Sequence, residues 1–181
     1  MLRRQISGAL SSVVMVLLLA LAGILLPQRV SAQEQSSFFG DTVKQVFLDP
    51  TTYAPAAIAY DATMRDWNSS QPFFRYGYYE RNERFTITGR PNDIPVSYDV
   101  GRNRILTDAL MNLELSVVNN VTDRVFERML MERYPEHRKL VKTLGWIERI
   151  TFASAMSYYL SAAHYRQNAD NVVRAQQMGL R

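Results

Sequence analysis

From Gln5 to Pro27 the chain runs for 23 residues without a charge, mostly aliphatic, directly behind Arg3 and Arg4. About 20 such residues suffice to cross a bilayer as a helix, and a cationic start followed by an apolar run is also the pattern of an export signal. Val30-Ser31-Ala32 then places small residues at the −3 and −1 positions of a processing site, ahead of the polar run Gln33-Glu34-Gln35-Ser36-Ser37. Residues 1–32 read as a signal peptide cut between Ala32 and Gln33. The competing reading keeps residues 5–27 as an N-terminal anchor, with Arg3 and Arg4 on the cytoplasmic side and 33–181 outside. Both readings export the remainder, periplasmic or secreted in one case and tethered to the membrane in the other.

Removing residues 1–32 changes the charge argument. The net charge of +4 contains Arg3, Arg4 and Arg29; without them 18 basic residues face 17 acidic ones. A nearly neutral domain lacks the clustered excess expected of a nucleic-acid or anionic-lipid binder, so neither partner is expected from charge. The chain has no cysteine, which excludes disulfides in an oxidising compartment. All of its aromatic residues follow Ala32. A single domain over 41–181, behind a flexible linker at 33–40, must therefore rest on its packed core.

Periodicity assigns most of that domain to helix. Thr42-Val43-Lys44-Gln45 has the form of a capping box opening a short helix that Asp49-Pro50 ends. A second helix is expected over about 54–68, with Ala57, Tyr60, Met64 and Trp67 as its apolar stripe. Leu106, Leu110, Leu113, Val117, Val121 and Val125 recur at helical spacing, and Leu140, Leu144, Ile147 and Ile150 do so after the Tyr134-Pro135 break. The expected fold is mainly α: a helical bundle built on a long antiparallel helix hairpin, about 103–134 and 138–168. A small extended or β-hairpin insertion, about 84–100, pairs Phe85–Thr88 with Val96–Val100. A last helical segment, 169–178, closes on Gly179 as its C′ residue.

Chemistry is sparsely marked. There is no phosphate-loop, dinucleotide or nucleophile-elbow motif, and two histidines with no cysteine do not make a zinc set, so no cofactor or metal is expected. Folding the two long helices back at Pro135 would set Asp108 beside His164, a carboxylate able to orient an imidazole, and these are the catalytic candidates. The binding candidate is the aromatic and arginine segment Phe73, Phe74, Arg75, Tyr76, Tyr78, Tyr79 and Arg81, whose rings either face a ligand or clamp the insertion onto the helices. The leading expectation is an exported envelope protein acting by contacts with another envelope protein or as a scaffold, leaning away from an enzyme. One alternative is an integral membrane protein in which residues 5–27 stay as an anchor and the segments 105–122 and 150–163, the latter uncharged, line a helical bundle. The other is a small exported hydrolase using Asp108 and His164.

Overall fold

A computed structural model describes residues 32–180, which form four α-helices: α1 (Ala32–Leu48), α2 (Ala54–Arg75), α3 (Tyr98–Arg133) and α4 (Arg138–Gln177). Short 3₁₀ turns lie at Pro50–Thr52, Glu83–Phe85 and Pro135–His137. The leader, with the processing residues Ala32 and Gln33 at its border, lies outside this range except for those two residues. The molecule is mainly helical, and among the described residues no helix is long and apolar enough to cross a membrane, 150–163 included. Two compact units share the chain. Among the described residues, one takes 32–49 with Val117–Arg149; the other takes Pro50–Ser116 with 150–180.

Several element boundaries differ from expectation. α1 begins at Ala32, so residues 33–40, expected as a linker, are helical, and Thr42 is a buried residue within the helix rather than its cap. α2 continues past Asn68 through Pro72 to Arg75. The 84–100 segment forms no β-hairpin: among the described residues there is no strand, only the isolated antiparallel bridges Glu80–Asp93 and Thr86–Pro95, and 98–100 already belong to α3. A Val96–Val100 strand loses to helix because Trp67 donates its Nε1–H to the Tyr98 carbonyl at 3.3 Å and Tyr98 donates its hydroxyl to Asn68 at 2.9 Å, fixing the first turn of α3.

The core of the second unit is aromatic. Trp67, Phe85, Val96 and Ile105 are buried together, with Tyr60, Met64 and Phe74 packed against them. Trp67 stacks on Phe85 with ring centroids 5.2 Å apart, and Phe74 lies tilted at 5.5 Å. Gly101 makes this possible: a Cβ there would run into the Trp67 indole. Thus part of the aromatic segment does clamp the 78–97 loop onto the helices.

The first unit is organised differently. Its buried positions include Thr42, Val46, Asn120, Val141 and Arg149, and Arg149 is only 5% exposed. The guanidinium of Arg149 is paired with Asp123, with Glu127 at 3.0 Å and with Asp49 at 3.3 Å, while Arg124 reaches Asp49 at 2.7 Å. Burial, with Glu127 adding repulsion, holds the Asp123 carboxyl above the ordinary carboxylate range despite Arg149. Gly145 lies under this cluster, where a Cβ would come within 2.8 Å of Glu127 Oε2.

The apolar periodicity of the long helices identifies helix correctly but not the buried face. On α4 the buried series is Val141, Gly145, Arg149, Ala153, Ser157 and Ser161, one residue in four, while Leu140, Leu144 and Ile147 are exposed. On α3, Ile105, Ser116 and Asn120 are buried and Leu106 and Leu110 are exposed. Small residues let helices approach closely. The hydroxyls of Ser116, Ser157 and Ser161 donate to carbonyls four residues earlier, which meets their hydrogen-bonding needs within the helix.

Candidate functional site

The site is built within the second unit, where two helical faces converge. On α2, Thr63, Asp66, Trp67, Ser70, Phe73 and Phe74 recur at +3, +4, +7, +10 and +11, one face of a helix. On α4, His164, Gln167, Asn171 and Arg174 do the same at +3, +7 and +10, with Met178 just past the end of the helix. The loop after α2 supplies the third wall, Tyr78 to Asn82. Together these residues enclose a cleft of about 420 Å³.

The exit of α2 shapes that wall. Gly77 adopts φ 84°, a left-handed conformation, and the helix closes with Gly77 N donating to the Phe74 carbonyl at 3.1 Å and Tyr78 N to the Phe73 carbonyl at 3.2 Å. This is a Schellman closure, and its usual side-chain contact is present: the Phe73 and Tyr78 rings meet edge-on at 5.8 Å. The reversal turns Tyr78, Tyr79, Glu80 and Arg81 back over the last turns of α2. Asn82 then caps the next 3₁₀ turn, accepting from Arg84 N at 3.1 Å.

Asp66 is the hub of the cleft's polar network. One carboxylate oxygen lies 2.7 Å from His164 Nδ1, the other 3.4 Å from Asn171 Nδ2. The same amide donates to Ser70 Oγ at 3.0 Å and Ser69 Oγ at 3.2 Å, and Gln167 donates to Asn171 Oδ1 at 2.9 Å. An ionised carboxylate only accepts, so the Asp66 contact requires the proton on His164 Nδ1 and leaves Nε2 as the other face of the ring. Glu80 lines the same cleft. Burial, together with the negative charge of Asp66, raises its carboxyl above the ordinary value, against the hydrogen bond it accepts from Asn82 N at 2.6 Å.

A second cavity of about 280 Å³ adjoins the first, sharing Thr63, Asn82, Phe85 and His164 with it. Asp108 lines this second cavity but is paired with the Arg84 guanidinium. The two residues singled out from the sequence therefore border one cavity, while the carboxylate that hydrogen-bonds His164 is Asp66. Folding two helices back on each other accounts for only those two helices; α2 brings in the third partner. Of the aromatic and arginine segment, Phe73, Phe74, Tyr78, Tyr79 and Arg81 line the first cleft, and Arg75 and Tyr76 do not. Asp66, Ser70, Glu80 and Asn171 were not identified from sequence. The available signal was the run Asp66, Ser69, Ser70 on one helical face and the seven-residue spacing of His164 and Asn171.

Among the described residues no group of three or more His, Cys, Asp or Glu side chains is placed to hold a metal ion. No protein-family model, curated protein or solved structure matches the chain.

Proposed function

We propose that this is an exported envelope protein that works by binding, and that the cleft of the second unit receives an acidic segment of a partner envelope protein. The observation that carries this reading is the composition of the cleft: rings of Phe73, Tyr78 and Tyr79 beside the guanidiniums of Arg81 and Arg174, on a floor fixed by the Asp66 network. Tyr78 and Tyr79 are 45% and 65% exposed, so their faces are available for stacking, and guanidinium groups recognise carboxylates by paired hydrogen bonds. Arg81 and Arg174 line the cleft as donors for an incoming carboxylate. The reading includes a helix hairpin turning at Pro135, supported at its turn end by the Arg149 pairs with Asp123 and Glu127.

Calorimetric titration with a short peptide rich in Asp, Glu and Tyr tests it. Saturable binding is expected, lost in the R81E/R174E variant and absent for the same peptide with its acids replaced by amides. Equal binding of the acidic and amide peptides would overturn the reading.

The Asp66–His164 hydrogen bond also favours a second reading, a hydrolytic site. His164 Nε2 would take a proton from water as that water attacks, and Glu80, whose carboxyl is raised above its ordinary value by burial, would in its acid form give one to the leaving group, solvent restoring both. H164Q separates the two: it would abolish turnover under this reading and leave acidic-peptide binding in place under the first.

A further inference from the structure

The first unit keeps its charges inside and its large apolar side chains outside. On α4, the buried seam of Val141, Gly145 and Arg149 lies opposite Leu140, Leu144 and Ile147, which are 56%, 55% and 48% exposed. Trp146, at the flank of that face, is 59% exposed. In a protein surrounded only by water such a face would be turned inward, and a contiguous apolar patch of this kind marks an interaction surface. Two further facts identify what covers it. Between Arg133 and Lys142, from the end of α3 into the first turn of α4, the chain carries Arg133, Arg138, Lys139 and Lys142 against the single acid Glu136, a local cationic excess that the near-neutral total conceals. Lys139 and Trp146 are seven residues apart, so they share one side of α4.

We infer that this face of α4 docks on the surface of an anionic lipid bilayer, with Leu140, Leu144 and Ile147 in the acyl boundary, Trp146 at headgroup level and the cations of the 133–142 stretch against lipid phosphates. Aromatic and aliphatic residues on one side of a helix, with lysines able to extend their stems past them, are the chemistry of interfacial helices. A second copy of this chain would offer the same cationic stretch to itself and gain no charge complementarity. The helix lies on the membrane and does not cross it, consistent with Arg138, Lys139, Lys142, Glu148 and Arg149 all falling within 138–149.

The protein has two tryptophans, and they make the test selective: Trp146 is exposed, whereas Trp67 is 4% exposed in the core of the other unit. The full chain is reconstituted into vesicles of phosphatidylcholine and phosphatidylglycerol with brominated acyl chains, and tryptophan emission is recorded. The readout is the depth of Trp146, which attachment through the 5–27 segment does not by itself set. Expected is strong quenching that disappears in W146F, weakens in L144E, and falls in K139E/K142E and in purely zwitterionic vesicles, with surface affinity dropping about fivefold for each cation removed. The inference is overturned if W146F removes no quenching, or if Trp146 is shielded only at concentrations where the chain associates with itself, which would assign the face to a second copy.

Discussion

Arg149 ties α3, α4 and the end of α1 together within the first unit: it is 5% exposed and paired with Asp49, Asp123 and Glu127. Removing it takes the guanidinium away from the buried Asp123 and Glu127 carboxylates, while Asp49 keeps Arg124, and losing one partner of a buried ion pair costs about 3–5 kcal/mol. R149M should therefore lower stability by that amount in urea unfolding followed by circular dichroism, although methionine fills much of the same volume. Glu80 makes the opposite prediction. Its folded-state value lies above the ordinary 4.5, so the fold prefers the protonated form. That contribution is complete below 4.5 and is lost as pH rises through the raised value. E80Q, which keeps an acceptor for Asn82 N, should match or exceed the wild type in melting temperature at neutral pH, and the difference should close as pH falls toward 4.5. Gly101 is constrained by contact: G101A drives a methyl into the Trp67 indole and should cost about 1–3 kcal/mol, as overpacking does.

At the scale of elements, helix content was legible and helix orientation was not. Leu106, Leu110, Leu140, Leu144 and Ile147 announce helices by their spacing, and the helices are there. Their burial was misread because the rule that apolar residues face inward assumes water on the outside and large side chains in the seam. Here Gly145, Ala153, Ser157 and Ser161 make the close contacts instead. The ends of elements were readable where glycine and proline set them. Asp49-Pro50 stops α1, and Gly179 adopts φ 66° with Leu180 N bonding the Ala175 carbonyl at 2.9 Å, closing α4 as expected. Gly77 was recognised as a break, but the sequence does not show that its reversal carries Tyr78 to Arg81 over the cleft. G77A should cost about 1 kcal/mol through its left-handed backbone and also weaken acidic-peptide binding, a coupling that titration and thermal melts on the same sample would show. Asp108 and His164 border one cavity, but the carboxylate bonded to His164 is Asp66 on α2. A two-helix register can place them near one another, but the contact made by α2 joins residues 98 positions apart in the chain and leaves no periodic trace.

For the whole molecule, the account divides labour between two units: a cleft with a polar floor and aromatic wall in one, an ion network beneath an apolar exterior in the other. The proposed export, the proposed partner and the proposed lipid-facing surface share one setting, the cell envelope. Processing between Ala32 and Gln33 predicts a species beginning at Gln33 in the intact mass of the protein taken from its host, whereas retention of the leader predicts a full-length species confined to membranes. The most direct test of the central claim is photo-crosslinking in intact host cells, with the crosslinking amino acid placed at Tyr79 in the cleft or at Tyr158, which is 73% exposed and does not line it. The account predicts that position 79 captures an envelope protein, that R81E/R174E abolishes the capture, and that position 158 does not reproduce it. Equal capture from both positions, or capture at 79 that survives R81E/R174E, would contradict the claim that this cleft is where the protein acts.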